Sequence, residues 1–233
     1  MTISTSLDPR AAVSASRAGG LGGLIAAATF IFGIALFVTS LSEYTTSDQT
    51  PAESVDFLVG HQTTLYVWYL VIFLVFGGAI IPLARSLHRR LVDVSPLVAD
   101  IGAVFALIWA GLMFATGMIS NIGITAVADL DETDPEAAAH LWSAVDAVTD
   151  GLGGGNELVG GMWILLVSLT AWRTGRLPNG LNALGIVSAV AALVTLVPGL
   201  GDVGMIFGLG SIAWFAWTGI VLLRTPAATP AGS

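Results

Sequence analysis

The chain alternates long apolar runs with short polar segments. A transmembrane helix needs about 20 mostly apolar residues, so each run of that length predicts one membrane span. Four runs meet this length, and a fifth carries a single asparagine and ends at Pro198-Gly199. The four runs are residues 21–41, 63–84, 101–120 and 203–223, and the fifth extends from residue 181 to about residue 200.

A sixth run, residues 158–172, has only 15 uncharged residues before Arg173, which is too short for a span. Counting back about 20 residues from Arg173 starts this span near Gly153. The start then falls in a glycine-rich stretch, and we expect glycines 153–155 to break or loosen the helix. The sequence therefore predicts an all-α, polytopic transmembrane helix bundle with six spans.

Polar stretches predict where several helices begin. Thr50-Pro-Ala-Glu53 has the form of a capping box, and Ser95-Pro96 and Asp134-Pro-Glu136 are N-caps followed by proline at the first helical position. Residues 135–150 then repeat apolar side chains at helical spacing. This pattern predicts an amphipathic helix on the outer face of the membrane.

The arginines orient the six spans. All eight basic residues other than histidine are arginines, and the positive-inside rule places such residues in the cytoplasm. Six spans with both termini cytoplasmic satisfy every arginine and leave 13 of the 16 carboxylates at or outside the outer edge. We expect a multi-pass protein of a bacterial cytoplasmic (inner) membrane, with disordered cytoplasmic tails at residues 1–20 and 225–233 around a six-helix domain at residues 21–224.

The composition excludes a soluble domain and several kinds of chemical site. The chain is 55% hydrophobic and 10% charged with a mean hydropathy of +0.85, whereas soluble domains are about 25% charged. It has no cysteine and no lysine, which excludes disulfides, thiolate metal sites and lysine Schiff bases. No catalytic motif and no basic face for nucleic acid stands out. We therefore expect neither an enzyme nor a cofactor.

Six polar side chains are predicted at the outer mouth of the bundle. A lipid-facing carboxylate is costly, so Glu157 should face the bundle, a water-filled mouth or the headgroups. It either binds a cation or proton, or accepts hydrogen bonds at a glycine-rich helix start. The spacing forms no metal motif, so no metal, cofactor-binding or catalytic residue is assigned. His88, beside arginines, is expected in a solvated loop. The six candidates are His61, Gln62, His140, Asn156, Glu157 and Asp202.

Small residues at a spacing of four predict close helix packing. Gly19/Gly23 and Gly204/Gly208 form GxxxG pairs, which let two backbones approach each other. Such pairs are common in polytopic proteins. They support a compact bundle and leave the oligomeric state open.

Two regions carry a family resemblance. Arg173-Thr-Gly-Arg-Leu-Pro178 before the fifth span, Arg224 at the end of the last span, and residues 63–91 (TTLYVWYLVIFLVFGGAIIPLARSLHRRL) resemble a family of small bacterial polytopic proteins classed only as a domain of unknown function. The resemblance covers most of the chain from about Leu21. It implies a bacterial inner-membrane protein of six or seven helices and transfers no catalytic or binding residue.

The leading functional hypothesis is a non-enzymatic accessory, sensor or stabilising partner of a membrane complex, because neither a catalytic set nor a mid-membrane array of charges is present. The alternative is a small carrier or binding protein for a lipid, small molecule or cation that enters from the outer face past His61, Glu157 and Asp202. A membrane-embedded enzyme is third. The expected partners are the lipid bilayer and either a membrane protein or a second copy of the chain, and not nucleic acid.

Overall fold

A computed structural model of the protein describes residues 9–41, 50–197 and 199–224, without the side chains of residues 9–12 and 153–156. Over these residues the chain forms eight α-helices and no β-strand, which confirms the all-α prediction. A π-helical segment, Leu70–Val75, joins α3 to α4, and a 3-10 turn, Gly201–Val203, precedes α8. The helices are α1 Pro9–Ser40, α2 Pro51–Gly60, α3 Gln62–Tyr69, α4 Phe76–Leu91, α5 Pro96–Asp131, α6 Pro135–Thr174, α7 Asn179–Val194 and α8 Gly204–Arg224.

Five helical segments in the described ranges are long and apolar enough to cross a membrane, which indicates a membrane protein. The predicted fifth span differs, because α7 has only 16 residues where a span needs about 20. The residues after Val194 turn instead of continuing the helix, and Pro198 lies outside the described residues. The five segments are Val13–Ser40, Gln62–Leu91, Pro96–Asp131, Pro135–Thr174 and Gly201–Arg224.

The three helix starts predicted from capping residues are confirmed. Thr50 Oγ1 accepts a hydrogen bond from the backbone N–H of Glu53 at 3.3 Å, and Glu53 Oε2 accepts one from the backbone N–H of Thr50 at 2.7 Å. At α6, Asp134 Oδ1 accepts from the backbone N–H of Ala137 at 3.1 Å. Helix α5 begins at Pro96 as expected. These starts follow from local hydrogen bonding, so a short stretch of sequence is enough to identify them.

The predicted break at glycines 153–155 is wrong. Helix α6 runs through them without interruption for 40 residues, so residues 135–150 are the first part of this helix and not a separate amphipathic element. A glycine in a helix costs about 1 kcal/mol relative to alanine. That cost is too small to end a helix that continues for several turns on both sides.

Two other boundaries differ from those expected. Helix α1 begins at Pro9, so residues 9–20 of the predicted N-terminal tail are helical, while residues 1–8 and 225–233 lie outside the described residues. The helix that starts at Pro51 ends at Gly60, because His61 takes a non-helical backbone conformation with φ −125° and ψ 20°. A single residue thus separates α2 from α3.

The chain divides into two compact units. Unit 1 contains residues 1–27, 78–108 and 157–233, and unit 2 contains residues 28–77 and 109–156. All eight arginines belong to unit 1, whereas nine of the 13 carboxylates among the described residues belong to unit 2. The separation of charge that the sequence suggested is therefore a separation between two folded units.

Unit 1 is held together by aromatic packing and by close backbone contact. Trp163 of α6 and Trp214 of α8 meet edge to face, with ring centroids 5.7 Å apart and planes at 78°. Ser16 Oγ of α1 donates a hydrogen bond to the backbone carbonyl of Leu222 in α8 at 2.7 Å. Both contacts are buried and join helices that are far apart in sequence.

Unit 2 has its own apolar core. Leu58 of α2 and Leu65 of α3 are fully buried with Ile124 and Val127 of α5, and Trp142 of α6 is 3% exposed. Tyr66 and Thr125 share a side-chain hydrogen bond. Short α2 is therefore fixed to α3, α5 and α6 by packing and does not depend on its own helical propensity alone.

Candidate functional site

His61 is held by the helix before it. Its ring stacks on Phe57 with centroids 4.1 Å apart and planes at 14°, and its Nδ1 lies 3.0 Å from the carbonyl oxygen of Phe57. Because a carbonyl oxygen only accepts, Nδ1 is the donor in this contact. Gln62 is the first residue of α3 and is half-buried.

The other four predicted residues have different environments. His140 is exposed on α6, and Asp202 is exposed in the 3-10 turn. Glu157 is half-buried, and its Oε2 has no hydrogen-bond partner among the described residues. The side chain of Asn156 lies outside the described part of the chain. Unit 2 contains His61, Gln62, His140 and Asn156, and unit 1 contains Glu157 and Asp202.

Histidine and carboxylate side chains are potential metal ligands. Within the described ranges, no group of three such side chains is placed to hold a metal ion. His88 instead makes a pair, with its Nε2 2.7 Å from Asp100 Oδ1. The prediction of a solvated loop is wrong for His88, because α4 continues to Leu91 and carries the imidazole to the first turns of α5.

Unit 2 presents an acidic surface on a packed core. We define the acidic cap as residues 50–61 and 124–150, which comprise α2, the end of α5, the start of α6 and the turn between them. The cap contains nine carboxylates and no arginine, and beneath them Leu58 and Trp142 belong to the buried core. Seven of the nine are exposed, namely Glu53, Asp56, Asp129, Glu132, Asp134, Glu136 and Asp150.

The capping box fixes one of these carboxylates in its charged form. Hydrogen bonds from the backbone N–H and the side chain of Thr50 lower the pKa of Glu53 below its ordinary value. A carboxylate that accepts hydrogen bonds favours the ionised state. Glu53 is also in the first turn of α2, where the helix dipole favours negative charge.

Unit 1 contains a groove lined by arginines that the sequence did not predict. Its volume is about 390 Å³. The three arginines come from the last turn of α4, the loop between α6 and α7, and the last residue of α8, and no carboxylate is among the described residues that line it. The groove is lined by Arg90, Gly175, Arg176, Leu177, Pro178, Trp217, Ile220, Val221 and Arg224.

The loop that carries Arg176 is tightly fixed. Gly175 ends α6 with φ +66°, and the N–H of Arg176 donates to the carbonyl oxygen of Ala171 at 3.0 Å, as in a Schellman motif. Asn182 is fully buried and its Nδ2 donates to the carbonyl oxygen of Leu177 at 3.0 Å. The backbone before and after Arg176 is thus held in place.

From the sequence, these arginines are only topology signals. Arg90, Arg176 and Arg224 are far apart along the chain, and their convergence depends on how α4, α6 and α8 pack. One local signal did exist, because Trp217, Ile220 and Arg224 lie at i, i+3 and i+7 on one face of α8. That face joins an apolar stripe to a terminal cation.

Comparison with known proteins identifies a family and no function. A family model described as a domain of unknown function, DUF4386, matches residues 15–224. No curated protein and no solved structure matches the chain. The resemblance expected from the arginine motifs and the apolar spans is confirmed, and it assigns no catalytic or binding residue.

Proposed function

Since the chain belongs to the DUF4386 family, a domain of unknown function, its role has to be argued from its own surfaces, and we propose a non-enzymatic membrane protein that acts by contact. It serves as an accessory, sensor or stabilising partner of a membrane complex. The acidic cap is the observation that supports this role, because it is a folded surface of one charge on an apolar core.

A surface of like charges is unfavourable in isolation. Nine carboxylates on the cap repel one another and oppose the compact state, while the packing of Trp142 and Leu58 holds them in place. A cationic partner surface would remove this repulsion. Complementary charge also accelerates association and disfavours wrong partners. The proposed contact is therefore between the acidic cap and a basic region of a membrane-protein partner.

The proposed orientation follows from charge. Every arginine belongs to unit 1, and positively charged residues near spans are retained in the cytoplasm. We place the protein in a bacterial cytoplasmic membrane with its arginine-rich helix ends in the cytoplasm and the acidic cap on the outer side. This orientation requires α7 to cross the bilayer as a short span, because Arg176 before α7 and Arg224 at the end of α8 line one groove. The bilayer and the partner of the cap are then its interaction partners, and nucleic acid is not.

Native mass spectrometry of the protein released gently from its own membrane tests the accessory role. We expect a mass above that of the chain by one bound protein. The variant Asp129→Asn with Glu132→Gln removes two exposed charges from the cap. The control Asp93→Asn with Asp202→Asn removes two exposed charges from unit 1. The cap variant should lose the partner at lower salt than the wild type, and the control should not.

Two outcomes would overturn this proposal. A bare chain from the native membrane would show that no partner accompanies it. Equal retention of the partner by the cap variant and the control would show that the cap is not the contact surface. Circular dichroism of both variants checks that the helical fold is intact.

A second candidate, the carrier, is favoured by one specific observation. Glu157 Oε2 is buried without a hydrogen-bond donor among the described residues, and an ionisable group within an apolar helix usually marks a binding or transport path. Glu157→Gln distinguishes the two roles. Lost uptake or binding of a small cation or lipid with unchanged thermal stability supports a carrier, and unchanged binding with equal or higher stability opposes it.

A further inference from the structure

Three arginines from separate parts of unit 1 surround one groove. Arg90 lies in the last turn of α4, Arg176 lies in the loop after α6, and Arg224 ends α8. Arg90 and Arg176 bring two like charges near each other, so an anion in the groove is attracted by both. A planar guanidinium offers paired donors that match the oxygens of a phosphate.

The groove also has an apolar side. Trp217 and Ile220 are 41% and 40% exposed, and both lie on the face of α8 that ends at Arg224. At a rise of about 1.5 Å per residue, Trp217 is about 10 Å from Arg224 along the helix axis. A methyl group at Gly180 would lie 3.0 Å from the ring of Trp217, so this glycine is what lets the indole lie against the first turn of α7.

We propose that this groove binds an anionic phospholipid, with its phosphate headgroup at Arg90, Arg176 and Arg224 and an acyl chain along Ile220 and Trp217. Basic pockets between transmembrane helices on the cytoplasmic side are suited to such headgroups. The size of the groove, about 390 Å³, is large enough for a glycerophosphate headgroup.

The apolar stripe favours a lipid over a soluble phosphate. Helix α8 belongs to a segment apolar enough to cross a membrane, so the side chains one and two turns before Arg224 lie at the depth of acyl chains. A free phosphate would use the arginines and gain nothing from Ile220 or Trp217. A phospholipid would use both parts of the groove.

Topology alone does not account for the arrangement. The positive-inside rule requires arginines near span ends and places no demand on their grouping. Arg173 is exposed, lies three residues before Arg176, and does not line the groove. It therefore provides a matched control, because it satisfies the same topology rule without contributing to the site.

The test is lipid binding to the full chain in neutral detergent, followed by native mass spectrometry. Phosphatidylglycerol and phosphatidylcholine with identical acyl chains are titrated separately, and inorganic phosphate is added as a competitor. We expect preference for phosphatidylglycerol, with Arg176→Gln and Arg224→Gln each weakening its binding about fivefold. Arg173→Gln should leave the binding of phosphatidylglycerol unchanged, and Trp217→Ala should weaken the binding of both lipids.

Several results would overturn the site. Equal binding of the two lipids, or equal loss in Arg173→Gln and Arg224→Gln, would show that the groove does not select an anionic headgroup. Complete displacement of phosphatidylglycerol by inorganic phosphate, with no effect of Trp217→Ala, would identify a soluble phosphate site instead. Arg224 is exposed at the end of its helix, so its variant reports on binding even if Arg176→Gln disturbs the loop.

Discussion

Gly23 of α1 and Gly219 of α8 lie so close that a methyl group placed at Gly23 would be 3.0 Å from the Cα atom of Gly219. The close approach extends along α1, since a methyl group at Gly219 would lie 2.7 Å from the carbonyl oxygen of Gly20. These neighbours are backbone atoms and cannot rotate away. Close backbone approach through small residues is a main way in which helices associate in membranes.

Gly219→Ala should therefore destabilise unit 1. Overpacking of this kind costs about 1–3 kcal/mol, which outweighs the gain of about 1 kcal/mol in helix propensity from glycine to alanine. Gly208→Ala in the same helix is the control, because a methyl group there meets nothing within 4 Å. The midpoint temperature of thermal unfolding in detergent, followed by circular dichroism, should be lower for Gly219→Ala than for wild type. For Gly208→Ala it should be equal to that of wild type or higher. The reverse order would contradict the contact.

Glycine spacing alone predicted this packing only in part. Gly19/Gly23 does lie at helix contacts, since a methyl group at Gly19 would also meet Ser86, here at its side chain. Gly204/Gly208 has the same spacing, yet Gly208 has open space beside it, and α8 meets α1 at Gly219 instead. Spacing is a local property, whereas the face of a helix that meets a neighbour is decided by the rest of the fold.

The same distinction between local sequence and the packing of the whole fold explains which other helix boundaries can be predicted from the sequence. Helix starts at Pro51, Pro96 and Pro135 could be predicted because a cap is complete within about four residues. The break at His61 and the π-helical segment Leu70–Val75 have no comparable local signal.

Candidate sites, like helix contacts, could be predicted from the sequence only in part. The outer-mouth set was chosen by depth along each span, and the structure places its members in different units and environments. The arginine groove needs three helix ends to converge. Periodicity shows which face of a helix is apolar and does not show which helix ends meet.

Thr50→Ala should loosen the start of α2. Loss of a threonine N-cap costs about 1 kcal/mol, because the N–H of Glu53 then lacks its acceptor at 3.3 Å. Hydrogen exchange of the α2 amides, measured by mass spectrometry, should become faster. Thr63→Ala, at an exposed position in α3, is the control and should leave α2 unchanged. Unaltered exchange in Thr50→Ala would show that core packing alone holds α2.

The pair His88 and Asp100 should contribute little to stability. Their side chains are 28% and 66% exposed, and exposed pairs of this kind typically give about 0.2–1 kcal/mol. A double-mutant cycle with His88→Ala and Asp100→Asn should yield a coupling energy of about 0.5 kcal/mol. The coupling should decrease at high salt. A coupling above about 2 kcal/mol would instead indicate a buried network.

Glu53 should make the stability of α2 depend on pH in a defined direction. Its pKa in the folded protein is lowered from 4.5 by hydrogen bonds from the backbone and side chain of Thr50. A lowered folded pKa means that the unfolded state binds the proton more readily. The stabilisation is therefore fully present above pH 4.5 and is lost as the pH falls through the lower folded pKa.

The measurement compares hydrogen exchange of the α2 amides in wild type and Glu53→Gln across this pH range, with intrinsic exchange corrected at each pH. Glu53→Gln should exchange faster at neutral pH, and the difference should disappear in acid as the wild-type carboxylate is protonated. In the Thr50→Ala background one of the two hydrogen bonds to Glu53 is absent, so the effect of Glu53→Gln at neutral pH should be smaller. A difference that persists unchanged in acid would mean that Glu53 acts through its shape and not through its charge.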